Sequence, residues 1–142
     1  MKPKLLLVDD EEMFLEYLSK RLINHAYDVT TCLLGEEALE KVRDDHFDVV
    51  ILDVLMPGID GIETLCEIKK LKPLTEVILL TGRASLESGI EGMRLGAFDY
   101  LRKPCDTEEL VSKIEQAYER RTEQEERIRQ ASERYDVEPE GH

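Results

Sequence analysis

The chain has 142 residues, enough to bury one substantial core and too few for two comfortable domains. Its 42% hydrophobic and 36% charged residues describe a soluble globular protein, and a net charge of -13 disfavours contact with nucleic-acid phosphates and anionic membranes. Cys32, Cys66 and Cys105 lie far apart with no C-x-x-C spacing, and no stretch has the apolar length of a signal-peptide core or membrane span, so the expectation is a cytoplasmic protein with reduced thiols.

Taken in chain order, strand and helix patterns alternate. The run KLLLVDDEE (4–12) joins four apolar residues, Leu5 to Val8, to four consecutive carboxylates, Asp9 to Glu12. An unbroken apolar run of this kind is a strand covered on both faces. Met13, Phe14, Tyr17, Leu18 and Leu22 recur at three- and four-residue spacing and predict a helix to about His25. DVTTCL (28–33) alternates Val29, Thr31 and Leu33 as a short strand near a sheet edge. GEEALEKVRDD (35–45) puts Ala38, Leu39 and Val42 on one helical face. FDVVILD (47–53) is a second continuous apolar run that ends in a carboxylate, and MPGIDG (56–61) is a loop. Ile62, Leu65, Cys66 and Leu71 mark a third helix, and EVILLT (76–81) a third buried strand. A helix over 85–95 carries Leu86, Ile90 and Met93, AFDYL (97–101) is the last strand, and a long helix starts at Thr107 or Glu108 with Asp106 or Thr107 as its N-cap.

Five βα units in about 120 residues imply an α/β doubly wound parallel sheet with helices on both faces. Ligands in such folds sit beyond the carboxyl ends of the strands. The residues at those ends are Asp9 and Asp10, Asp53, Thr81 and Lys103. An aspartate after a strand is commonly a turn or capping residue, and a lone lysine is commonly solvated. Together, three carboxylates with a hydroxyl and an ammonium beside them describe a site for a hard cation such as Mg2+, which would relieve the repulsion of the crowded acids. Such a site can also bind a phosphoryl group, with Lys103 and Thr81 on its oxygens and one carboxylate as nucleophile.

LLVDDEE (6–12), VVILDVLMPGIDG (49–61), ILLTG (78–82) and GAFDYLRKP (96–104) resemble, in order and spread over about the first 120 residues, the receiver domain of two-component response regulators. That resemblance implies a flavodoxin-like strand order 2-1-3-4-5. It implies Asp53 as phospho-acceptor, Asp10 as direct and Asp9 as water-mediated Mg2+ ligand, and the backbone carbonyl of Leu55 as a further ligand. Thr81 matches the switch hydroxyl, Lys103 the phosphate-pairing lysine, and Tyr100 the aromatic that turns inward, although a strand tyrosine is often core with a wet hydroxyl. Pro104 is expected to follow a cis peptide bond. Glu11 and Glu12 do not match ligands and suit the first turn of the helix, where carboxylates favour the positive end of its dipole. Leu55 and Arg83 match positions beside the line along which water attacks the acyl phosphate.

The implied function is a signalling receiver that accepts a phosphoryl group from a sensor histidine kinase or a histidine phosphotransfer protein and assists its own phosphotransfer, rather than a multiple-turnover enzyme. The fourth helix, fifth strand and fifth helix form the implied switching surface. A homodimer, where one forms, would use that surface or the C-terminal helix. A phosphohydrolase of the haloacid-dehalogenase type is a rival, but its Asp-x-Asp motif is not met by Asp53-Val54-Leu55. A phosphorylation-independent interaction module is a second rival, opposed by the intact set of site residues. Gly89 and Gly92 inside the fourth helix are either a packing requirement or a deliberately soft helix.

The expected division is a receiver domain over 1–121 and a helical extension or linker over 122–142, whose Glu140-Gly141-His142 resembles a tag remnant. Ile114, Arg121, Ile128 and Tyr135 recur every seven residues, interleaved with Leu110, Ala117, Gln124 and Ala131. With Arg121 and Gln124 in that seam, a solvated helix is the favoured reading and a coiled coil the alternative.

Overall fold

A computed structural model describes residues 2–56, 58–82 and 86–137. The elements are β1 (Lys4–Val8), α1 (Glu12–Asn24), β2 (Asp28–Cys32), α2 (Gly35–Asp44), β3 (Val49–Leu52), α3 (Gly61–Leu71), β4 (Glu76–Thr81), α4 (Leu86–Arg94), β5 (Asp99–Arg102) and α5 (Thr107–Val137). All neighbouring strands pair parallel, in the order β2-β1-β3-β4-β5. This is the flavodoxin-like order that the strand-end motifs imply.

The continuous apolar runs are buried on both sides because successive residues point to opposite faces. Leu6, Val8, Val50, Leu52, Val77 and Leu79 join Leu39 and Val42 of α2 and Leu65 and Ile68 of α3 in one core. Leu5, Leu7, Val49, Ile51, Ile78 and Leu80 join Leu15, Leu18 and Leu22 of α1 and Leu110, Ile114 and Ala117 of α5 in the other. None of the helices among the described residues is long and apolar enough to cross a membrane.

Several local expectations shift. The buried stripe of α1 is Leu15-Leu18-Leu22, while Met13 and Tyr17 are 86% and 55% exposed. In β2, Cys32 rather than Leu33 turns inward, and Thr31 faces solvent. Ile90 and Met93 of α4 point outward, and the helix approaches the sheet through its glycines instead. A Cβ on Gly92 would lie 2.3 Å from Leu79 Cδ1, and one on Gly89 would lie 3.1 Å from the Tyr100 ring. A packing role is therefore clear at Gly92, where a Cβ would displace Leu79, while at Gly89 a Cβ would press on the Tyr100 ring. All three cysteines are free; Cys66 and Cys105 are half-buried, Cys32 is buried, and burial pushes the Cys32 thiol up to about 12.

The fifth helix is anchored to the sheet in its first half only. Tyr27 donates to Glu115, Arg120 pairs with Glu76, and Arg121 lies 3.4 Å from Asp48. Beyond Arg121, nearly every described side chain is exposed, including Ile128 at 54%. Ion pairs within the helix, such as Arg129 with Glu126 and Glu133, are solvated and screened and add little. A helix segment without a core is marginal in water. Amide exchange after Arg121 is therefore expected to be rapid in dilute protein. Protection there that does not depend on concentration would contradict this.

Candidate functional site

The chemistry sits on the rim where the strands end, and the backbone ladder carries it there. The Asp53 amide donates to Val8 O at 3.0 Å, the Asp9 amide to Cys32 O at 3.2 Å, and the Lys103 amide to Thr81 O at 2.9 Å. Each functional residue is thus the first step beyond a paired strand, its main chain still held by the neighbouring one. Helix α3 closes down on the Asp53 segment. Gly61 N donates to Val54 O at 2.9 Å, and a Cβ on Gly61 would fall 2.2 Å from Asp53 O. Asp60 caps α3 by accepting from Glu63 N at 2.9 Å. The Lys103–Pro104 bond is cis.

Asp9, Asp10 and Asp53 each bring a carboxylate oxygen to within 4.8 Å of the others. Asp9 and Asp53 are buried, and Asp10 is exposed at the mouth. Burial raises the pKa of Asp53 above its ordinary value, and the neighbouring Asp9 charge adds to the effect. Lys103, the Leu55 amide at 3.2 Å and the Thr81 hydroxyl pull the other way without cancelling it. Asp9 is raised as well, again chiefly by burial. An all-oxygen donor set whose charges are disfavoured until something positive joins them fits a hard divalent cation.

The ammonium of Lys103 is the local counter-charge. Its Nζ donates to Asp9 Oδ2 at 2.6 Å and to Glu11 Oε1 at 3.0 Å, stands 3.8 Å from Asp53 Oδ2, and lies 4.2 Å from the centroid of the Phe14 ring. Burial alone would lower its pKa; the hydrogen bonds to Asp9 and Glu11 outweigh that and raise it. An open cavity of about 420 Å³ in front of these groups is lined by Asp10, Glu11, Asp53, Leu55, Thr81 and Gly82. The ring of Tyr100 is half-buried against Gly89 and does not line this cavity. Arg83 lies outside the described residues.

The five strand-end residues singled out in the sequence therefore share one site. Glu11 was not expected there. It occupies the N-cap position of α1 without making a side-chain cap, and its carboxylate turns to Lys103 instead. The signal that could have found it is its position: two residues after Asp9, it follows a turn in which its own amide donates to Asp9 Oδ1 at 2.9 Å.

Comparison with known proteins gives a consistent result. The family model described as response regulator receiver domain matches residues 5–115. The transcriptional regulatory protein ZraR of Escherichia coli (strain K12) is 41% identical over 113 residues, 80% of this chain and 26% of that protein. The uncharacterized transcriptional regulatory protein YkoG of Bacillus subtilis (strain 168) is 38% identical over 116 residues, 82% of this chain and 51% of that protein. The chain thus spans between a quarter and a half of these relatives. Among solved structures, a CheY-like receiver domain protein from Methanospirillum hungatei JF-1 superposes with a TM-score of 0.84 at 28% identity, covering 87% of this chain and 99% of that one. A receiver domain protein from Clostridium thermocellum gives 0.81 at 37% identity, covering 84% and 97%.

Proposed function

This chain belongs to the response regulator receiver family, and we propose that it is a phosphorylation-dependent signalling module whose acceptor is Asp53. The supporting observation is the convergence of Asp9, Asp10 and Asp53 within 4.8 Å, with the Lys103 ammonium 3.8 Å from Asp53. The donor is a phosphohistidine of a sensor kinase or a histidine phosphotransfer protein. An Asp53 oxygen attacks phosphorus, the donor's bond to phosphorus breaks, and the leaving group departs with that electron pair.

Asp9, Asp10, Asp53 and the Leu55 carbonyl would hold Mg2+. When bound, the cation supplies charge neutralisation and contacts to the phosphoryl oxygens. Lys103 pairs with the phosphoryl group, and Thr81 moves its hydroxyl from the Asp53 carboxylate to a phosphoryl oxygen. Tyr100, packed on Gly89, follows that movement and alters the α4–β5–α5 surface. We assign residues 1–121 to the receiver domain and 122–142 to a helical extension or linker. Where two copies pair, the contact is that surface, with Ile90 and Met93 exposed on it, or the extension of α5.

The test is incubation with Mg2+ and a small acyl-phosphate donor, read by intact mass and peptide mapping. One hydroxylamine-labile phosphoryl group on the Asp53 peptide is expected, with no uptake when a chelator replaces Mg2+ during the incubation. Uptake elsewhere, or none, overturns the assignment.

Leu55 is 49% exposed and lines the cavity in front of Asp53, where an alkyl side chain cannot hydrogen-bond an attacking water. Arg83 likewise offers no group suited to accept a proton. Leu55→Asn combined with Arg83→Glu is expected to shorten the lifetime of the phosphorylated form by about tenfold, equivalent to about 1.4 kcal/mol of barrier. Phosphate loss in excess Mg2+ without kinase measures it. An unchanged rate would show that these positions do not set the lifetime.

A further inference from the structure

Glu11 is the one acceptor of Lys103 to which the proposed phosphotransfer gives no task. Three carboxylates surround the ammonium, at 2.6 Å (Asp9), 3.0 Å (Glu11) and 3.8 Å (Asp53). They are not equivalent. The Asp9 side chain is 4% exposed, and its second oxygen accepts from the Glu11 amide, so it is fixed in place. The Glu11 side chain is 65% exposed and reaches back from the cavity mouth to a lysine that is itself only 13% exposed. Lysine has three N–H donors. Two are committed to Asp9 and Glu11, and Asp53 stands beyond hydrogen-bond reach of the third.

Phosphorylation changes this balance. Asp53 carries one negative charge before transfer and an acyl phosphate close to two afterwards. Glu11 then competes with the phosphoryl group for the same ammonium while repelling it through the open mouth. Its exposure lets it swing into water at small cost, whereas Asp9 cannot leave.

We propose that Glu11 is a displaceable counter-ion: a positioning residue that engages Lys103 from the cavity mouth before phosphorylation, slows the approach of anionic donors, and is released when the phosphoryl group takes its place. This rests on the assignment of Asp53 as acceptor. The same negative charge adds to the attraction for a divalent cation at the Asp9–Asp10–Asp53 cluster. Removing it therefore acts on two measurements in opposite directions, which a merely structural role does not do.

Glu11→Gln keeps the length and an acceptor oxygen and removes the charge. With saturating Mg2+, its phosphorylation by acetyl phosphate is expected to be about threefold to tenfold faster than wild type, an effect on the order of one charge acting in a partly solvated site. Its Mg2+ affinity, measured by calorimetry on the unmodified protein, is expected to fall by about twofold to threefold. Both differences should shrink as salt is raised to about 1 M, where the screening length is about 3 Å. Phosphorylation of Glu11→Gln that is unchanged or slower, in protein whose thermal midpoint matches wild type, overturns the role. Loss on both measurements shows a structural contact instead and overturns it equally. Wild-type protein that takes no phosphoryl group overturns the acceptor assignment, and the role of Glu11 with it.

Discussion

Asp53→Asn protein is expected to take up no phosphoryl group from a small acyl-phosphate donor, and to be more stable than wild type when divalent cations are absent. Both outcomes follow from one feature of the site. Asp53 is buried beside Asp9, and its pKa is raised because burial and the neighbouring charge disfavour its ionised form. A carboxyl whose folded pKa lies above its unfolded value stabilises the fold below the unfolded value, near 3.8, and loses that contribution as pH rises through the folded value. At neutral pH in chelator the wild type therefore carries a repulsive charge that the amide does not. A thermal midpoint higher by about 3 °C or more is expected for a chain of this length. The gap should persist at neutral pH and close as pH falls through the raised value toward 3.8, and Mg2+ should stabilise wild type more than the variant. Lys103→Ala, which removes a phosphate contact and leaves the carboxylates in place, should retain most of the Mg2+ binding. Calorimetric melts at several pH values, with and without Mg2+, measure all of this. Undiminished acyl phosphate on the Asn variant would remove Asp53 from the mechanism.

Arg120→Ala is expected to have the largest effect on folding stability of any removal of a charged side chain from α5. Glu76 opens β4 and is 1% exposed, yet it is a carboxylate. Arg120 grips it with two hydrogen bonds, Nη2 to Oε1 at 2.8 Å and Nε to the other oxygen, while its guanidinium lies 4.7 Å from the centre of the Phe98 ring. Lys69 Nζ stands 3.6 Å from Glu76 Oε1, but it also donates to Pro73 O and Thr75 O, and burial lowers its pKa. Truncating Arg120 leaves a buried charge with a weaker partner. Breaking such a pair costs about 3–5 kcal/mol; the partial exposure of Arg120 and the presence of Lys69 reduce the expectation to about 2–3 kcal/mol, roughly 8 °C. The paired change Glu76→Met with Arg120→Leu should recover most of it, because neither charge is then left alone. Denaturant titration of the two single variants and the double variant decides the matter. A single variant as stable as wild type would mean that Lys69 alone satisfies Glu76.

Much of the site was legible because of where chemistry must sit in a parallel sheet. A strand covered on both faces has to be an unbroken apolar run, so Leu5–Val8, Val49–Leu52 and Val77–Leu80 announce themselves, and polar residues can return only where the strand ends. Asp9, Asp53 and Thr81 are those first returns, Lys103 follows the end of the last strand, and a doubly wound sheet brings its strand ends to one rim. Their identity and spacing determined the family as well as the place. What periodicity could not supply was the choice of neighbour. A 3.6-residue repeat marks an apolar stripe, but the stripe that faces the sheet in α1 is Leu15-Leu18-Leu22, and Met13 and Tyr17 stay in water. In α4, the close approach is made by Gly89 and Gly92, residues with no side chain to register in any hydrophobic pattern. The pairings of charge were equally hidden. Glu11 meets Lys103 from 92 positions away and Glu76 meets Arg120 from 44, each contact set by strand register and by the rotamers of long side chains. Local sequence encodes the elements and the ends at which their chemistry collects; partners across such separations exist only once the sheet has assembled and brought them within reach.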